Sequence, residues 1–118
     1  TLRSSAEFSR VLHGGRRAGA RGVVVCALPA RVAGRQATES VSTRMGVVVR
    51  APNQAVVRNR IKRRIRAAFV ACDPAVGYDV VIRADERAES MSFTDLTGAL
   101  NGALTVCGVP TGERGASR

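Results

Sequence analysis

The sequence predicts a mixed α/β fold, a two-layer sandwich in which helices lie on one face of a small mixed sheet. Three observations point there. Three short β-branched runs are bounded by breakers, three segments carry apolar residues three or four apart, and the elements follow one another as helix, strand, strand, helix, strand, helix. The chain has 118 residues, 45% of them apolar, enough for one domain with a core. With no Trp, one Tyr and three Phe, that core must be built mostly from Val, Leu, Ile and Ala.

Ser4 with Glu7 three residues on is a capping-box pattern. Phe8, Val11 and Leu12 follow at helical spacing until Gly14 and Gly15 stop the helix. Gly22–Pro29 (GVVVCALP) reads as a strand ended by proline, and the polar, aperiodic residues 30–42 as a loop. Thr43–Ala51 (TRMGVVVRA) is the second strand; Pro52 and Asn53 break it, with Asn53 a candidate N-cap. A long helix is predicted from about Gln54 to Cys72, ended by Asp73-Pro74. Tyr78–Asp85 (YDVVIRAD) is the third strand. Ser92 with Asp95 caps a last helix, in which Phe93, Leu96, Leu100, Leu104 and Cys107 form one apolar stripe. Gly98 and Gly102 each weaken that helix by roughly 1 kcal/mol relative to Ala, so it needs a sheet beneath it. Residues 1–107 are read as a single domain and 108–118 as a disordered tail.

The net charge is +10 and its distribution is uneven. Residues 1–72 hold fifteen Arg or Lys against Glu7 and Glu39, whereas residues 73–118 hold four Arg against seven acids. Such asymmetry points to a polyanionic partner. Eighteen of the nineteen cations are Arg, whose planar fork suits phosphate. Cys26, Cys72 and Cys107 are too few and too widely spaced for a disulfide framework or a zinc site, and are expected to be reduced. No apolar run reaches the roughly 18 residues of a membrane span, and TLRSSAEFSR lacks a signal-peptide core, so a cytoplasmic location is expected. His13 is the sole histidine, no phosphate-binding G-x-x-x-x-G-K-[ST] exists, and Asp79 and Asp85 read as solvent-facing carboxylates of a strand. No catalytic or metal-binding residue is therefore assigned.

The segment AVVRNRIKRRIRAAF, Ala55–Phe69, holds six cations and no anion. At 100° per residue, Val57, Ile61, Ile65, Ala68 and Cys72 fall within roughly 80° of arc, with Phe69 beside them. Arg58, Arg60, Lys62, Arg63, Arg64 and Arg66 spread over the remainder. Like charges at i,i+4, such as Arg58–Lys62 and Lys62–Arg66, destabilise the helix by a few tenths of a kcal/mol each, about 0.3, until a polyanion arrives. A membrane surface would compete for the apolar stripe that the core needs. A DNA-binding helix-turn-helix would place a second helix, not a strand and a proline, before the basic one. RNA, read through backbone and shape, is the favoured partner.

VVRNRIKRRIRAAF, Val56–Phe69, resembles the signature of the bacterial ribonuclease P protein subunit, and EFSRVLHGGRR, MGVVVR, YDVVIRA and SFTDL extend the resemblance from Glu7 to about Cys107. The resemblance implies a ribosomal-protein-like α/β sandwich with a left-handed β-α-β crossover around the basic helix, against the right-handed base rate. It implies a non-catalytic subunit of a ribonucleoprotein endoribonuclease that removes the 5′ leader of precursor tRNA. The chemistry would be carried by ribonuclease P RNA, with Mg2+ held mainly by that RNA. The implied partners are this RNA and precursor tRNA, with no membrane and no obligatory protein partner. Arg58, Asn59 and Arg60 are the motif itself; Lys62, Arg63 and Arg66 match the family's other basic positions, and all six are expected to bind RNA. Phe8, Leu12, Val24, Cys26 and Arg50 are expected to line a cleft for the single-stranded leader. Leu12 and Cys26 stand where aromatics are frequent, which implies weaker leader stacking. Asn53-Gln54 stands where Gly-Asn is common, and Arg64 adds a charge. The alternative is a structural RNA-binding protein of ribosomal type without a nuclease role.

Overall fold

The computed structural model describes residues 5–20, 22–29, 31–32, 35–36, 43–51, 54–75 and 77–112. In chain order the elements are α1 (Ser5–Gly14), β1 (Arg16–Ala20), β2 (Val23–Pro29), β3 (Arg31–Val32), β4 (Arg35–Gln36), β5 (Arg44–Arg50), α2 (Ala55–Cys72), β6 (Tyr78–Asp85), α3 (Arg87–Ser90) and α4 (Phe93–Val106). Four strands form one sheet in the order β1-β2-β6-β5. β1, β2 and β6 pair antiparallel, while β5 runs parallel to β6, joined to it through α2. The sheet is therefore mixed, as expected.

Side chains alternate across a strand, so each strand feeds two faces. Val23, Val25 and Ala27 of β2, Val47 and Val49 of β5, and Val80, Ile82 and Ala84 of β6 point to one face. There they meet Ile61, Ile65, Ala68 and Phe69 of α2 and Leu96, Leu100 and Leu104 of α4. Each of these large aliphatics, fully buried, stabilises the fold by roughly 1.5–3 kcal/mol relative to exposure. The second face is not bare. α1 lies on it, with Val11 packed against Cys26 and Val81, and with Phe8, Leu12, Val24 and Leu28 around them. The expectation that all helices share one face is corrected on this point. The continuous apolar runs of β2 and β6 carry the reason, since central strands covered on both sides lose the alternation that marks a one-sided sheet.

β1 was not legible in RRAGA, which has no β-propensity. It forms because β2 offers it a free edge, with Arg17 opposite Cys26 and Gly19 opposite Val24. Gly15 makes the turn possible: a Cβ there would lie 2.6 Å from the Ala27 carbonyl oxygen and 2.7 Å from that of Val11. Within the predicted loop 30–42, β3 and β4 make a two-residue antiparallel ladder.

α2 starts at Ala55, after Gln54, whose side chain makes no capping bond. The proposed cap Asn53 and the Ser4 capping box lie outside the described residues. At its other end Asp73 takes the left-handed conformation, φ 50°, and its N–H donates to Val70 O, so Pro74 leaves in a new direction. α4 is capped as predicted, with Ser92 Oγ accepting from Asp95 N at 3.0 Å. Its stripe begins one turn later than expected. Leu96, Leu100 and Leu104 are buried, but Phe93, the first helical residue, is 46% exposed because it precedes the turn that reaches the sheet. Within the tail expected to be loose, 108–118, residues 109–112 are packed. Val109 is buried, Ala75 N donates to Pro110 O at 2.7 Å, and Gly112 N donates to Asp73 O, so residues 109–112 lace onto the end of α2. Residues 113–118 lie outside the described residues.

Candidate nucleic-acid interface

The apolar keel of α2 is as the spacing predicted: Ile61, Ile65, Ala68, Phe69 and Cys72 are buried and Val57 packs beside them. The cationic residues are not one uniform deck. Arg58 donates from Nη1 to Ala51 O at 2.8 Å, which ties the start of α2 to the end of β5. Arg64, half-buried, donates to Ala88 O at 2.7 Å, to Glu89 O at 3.0 Å and to Met91 O, and so caps the C-terminal end of α3. Arg60 is ion-paired with Glu89. The helix itself holds no acid, but one of its cations is relieved from α3. Lys62, Arg63 and Arg66 meet no carboxylate among the described residues. With the exposed Asn59 they occupy roughly 100° of the helix circumference.

A second basic surface lies on the sheet face that α1 only partly covers. Arg17, Gly19, Gly22, Val24, Arg50, Arg83, Asp85 and Arg87 border an open groove of about 600 Å³. Its floor follows from register: Gly19 is opposite Val24, Val24 opposite Arg83, and Arg50 opposite Asp85. Asp85 is paired with Arg87, whose hydrogen bonds hold its carboxyl below the usual range.

Of the expected cleft residues, Val24 and Arg50 line the groove. Phe8 and Leu12 do not border it; they lie half-buried in the neighbouring α1 cluster that Val24 also joins, with Leu12 O accepting from the groove's Arg17 at 3.3 Å and the Phe8 ring lying over Gly46. Cys26 is corrected: at 1% exposure it lies beneath α1 and offers no surface to a ligand. Arg17, Arg83 and Arg87 were missed as groove residues. Arg83 had a usable signal, being in phase with Asp79 and Val81 on one strand face. Arg17 had none, because β1 was unseen.

The two basic surfaces meet at one end of the molecule. β5 and β6 run parallel, so Arg50, Asp85 and the start of α3 emerge together, and Arg58 reaches back to Ala51 at the same end. The motif Arg58-Asn59-Arg60 thus stands beside the groove's open end.

Among the described residues, the other polar groups singled out in the sequence are engaged within the fold or exposed singly. Asp79 does not face solvent as expected: it is fully buried and takes Arg10 and Arg44. His13 is exposed, its Nδ1 2.9 Å from Ser9 O. The three cysteines are free and buried, and burial pushes the Cys72 thiol up to about 11 and raises that of Cys107. Neither is a thiolate near neutrality. Among the described residues no group of three or more His, Cys, Asp or Glu could hold a metal, and no helix is long and apolar enough to cross a membrane.

The family described as Ribonuclease P matches residues 1–108. The chain belongs to the ribonuclease P protein family. It is 34% identical to the ribonuclease P protein component of Salinispora tropica, over 96% of this chain and 93% of that one. It is 38% identical to that of Rhodococcus opacus, over 87% and 84% of the two chains. Among solved structures, the RNase P protein of Staphylococcus aureus superposes with a TM-score of 0.69 at 25% identity, covering 89% of this chain and 92% of that one. The RNase P protein of Thermotoga maritima superposes with a TM-score of 0.66 at 21% identity, covering 90% and 93%, a likeness of fold. The four-stranded mixed sheet with its packed helices is the architecture of ribonuclease P proteins.

Proposed function

We propose that this chain is the protein subunit of ribonuclease P, the endoribonuclease that removes the 5′ leader of precursor tRNA, and that it works by placing cations where two RNAs must approach. The observation that carries this is the meeting of two basic surfaces at one end of the sheet, the Arg58–Arg60 motif on α2 and the arginine groove on the opposite face. Arg58, Asn59, Arg60, Lys62, Arg63 and Arg66 bind ribonuclease P RNA. Arg17, Arg50, Arg83 and Arg87 follow the leader phosphates, while Val24, Phe8 and Leu12 give its bases an apolar surface. Arg forks suit phosphate oxygens, and a groove floor without stacking aromatics favours backbone over base readout.

The physical work is electrostatic. Catalytic RNA and precursor tRNA repel, and the protein's cations offset that repulsion. Each phosphate contacted adds roughly 0.7–0.9 to the log–log salt slope of binding. The chemistry belongs to the RNA, which also holds the Mg2+. Among the described residues no group of three or more ligating side chains could hold such a cation, and Asp79 and Asp85 are taken by arginines. The test adds purified protein to a bacterial ribonuclease P RNA and precursor tRNA at limiting Mg2+. Faster 5′ maturation is the expected result. RNA binding without any change in maturation would instead select a purely structural RNA-binding role.

A further inference from the structure

Asp79 is fully buried and accepts from two arginines. It sits on β6, directly opposite Arg44 of the parallel neighbour β5. Arg44 donates to it bidentately, Nε to Oδ1 at 3.0 Å and Nη2 to Oδ2 at 3.0 Å. Arg10, from α1, completes the set with Nη2 on Oδ2. One carboxylate therefore joins three elements. The apolar contact beneath α1 is small, with Val11, Cys26 and Val81 its fully buried members, so this ionic contact is a second tie between α1 and the sheet.

The same contact is poorly explained as a source of stability. A buried ion pair often contributes no more than apolar side chains of equal volume, because desolvation offsets the attraction. Arg10 also buries its other terminal nitrogen, Nη1, without a hydrogen-bond partner. What the pair does supply is a fixed register between α1 and the sheet. Two residues before Arg10, Phe8 lies over Gly46; two residues after it, Leu12 packs into the cluster that Val24 shares with the groove. Asp79 and Arg83 are four residues apart on one strand, roughly 13 Å, so the ionic set stands at the far side of α1 from the groove floor.

We infer that Asp79 is a positioning residue: through Arg10 it fixes α1 beside the groove and so governs leader binding without touching the leader. This rests on the reading of the groove as the leader's path. α2 docks on the opposite face, so binding of the catalytic RNA is independent of the contact.

Arg10→Met is the informative variant, because it unties α1 while Arg44 still neutralises Asp79. Holoenzymes made with wild-type and variant protein are compared for affinity toward precursor tRNA with a long leader and toward leaderless tRNA. The variant is expected to lose about five- to tenfold of the leader-dependent increment, with leaderless tRNA and catalytic RNA bound within about twofold of wild type. General loss of fold would weaken all three together, and that result overturns the inference. A wild-type increment that survives Arg10→Met overturns the positioning role alone. A wild-type holoenzyme indifferent to the leader overturns the groove reading and, with it, this inference.

Discussion

Arg60 of the basic helix and Glu89 of α3 form an ion pair, and the neighbouring Arg64 holds the backbone carbonyl of the same Glu89 at 3.0 Å. Two cations one helical turn apart are thus handled differently. Arg64 is spent on structure, while Arg60 is held by a partly exposed carboxylate that an RNA phosphate can displace.

Glu89→Gln is accordingly expected to tighten binding to ribonuclease P RNA by about three- to fivefold, since an exposed pair is worth at most about 1 kcal/mol and Glu89 also repels phosphate. The gain should shrink as salt rises. Filter binding across a salt series measures it, and weaker binding by the variant would mean that Glu89 presents Arg60 rather than competing for it.

Arg63 and Arg64 are adjacent yet should fail in opposite assays. Arg64→Ala removes a charged donor from three carbonyls at the end of α3 and is expected to lower unfolding stability by about 2 kcal/mol. Arg63→Ala removes an exposed cation and should stay within about 0.5 kcal/mol while weakening RNA binding. Urea melts and RNA titrations of both variants separate the two roles.

Gly46→Ala tests the seat of Phe8. A Cβ there would collide with the Phe8 ring, so the ring or α1 must shift, at an expected cost of about 1–3 kcal/mol in stability. Gly98→Ala is the matched control. Its Cβ meets nothing within 4 Å, and the helix should gain up to about 1 kcal/mol. Thermal melts give both signs.

The Cys72 thiol sets an alkaline limit. Its folded value of about 11 exceeds the ordinary 9.0, so the unfolded chain releases this proton first as pH rises. Stability from this group is full below pH 9 and is lost progressively between about 9 and 11. Cys72→Ala should flatten that decline in urea midpoints measured over this range. Native Cys72 should also react slowly with thiol reagents at pH 8.

The sequence alone determined what local periodicity encodes. The i,i+4 apolar repeat of α2 sets its keel, the Ser92–Asp95 pair sets the start of α4, and the β-branched runs set β2, β5 and β6. It also determined that α2 carries a cationic motif, because charge is a count along the chain. Tertiary structure decided which cations are available. Arg64 is consumed by carbonyls 24 to 27 residues away, and Arg44 finds Asp79 at a separation of 35. It also decided that RRAGA is a strand and that Cys26 lies under a helix. Periodicity reports which face a side chain takes on its own element. What that face meets is fixed by strand order and register, which bring together residues that no local pattern links.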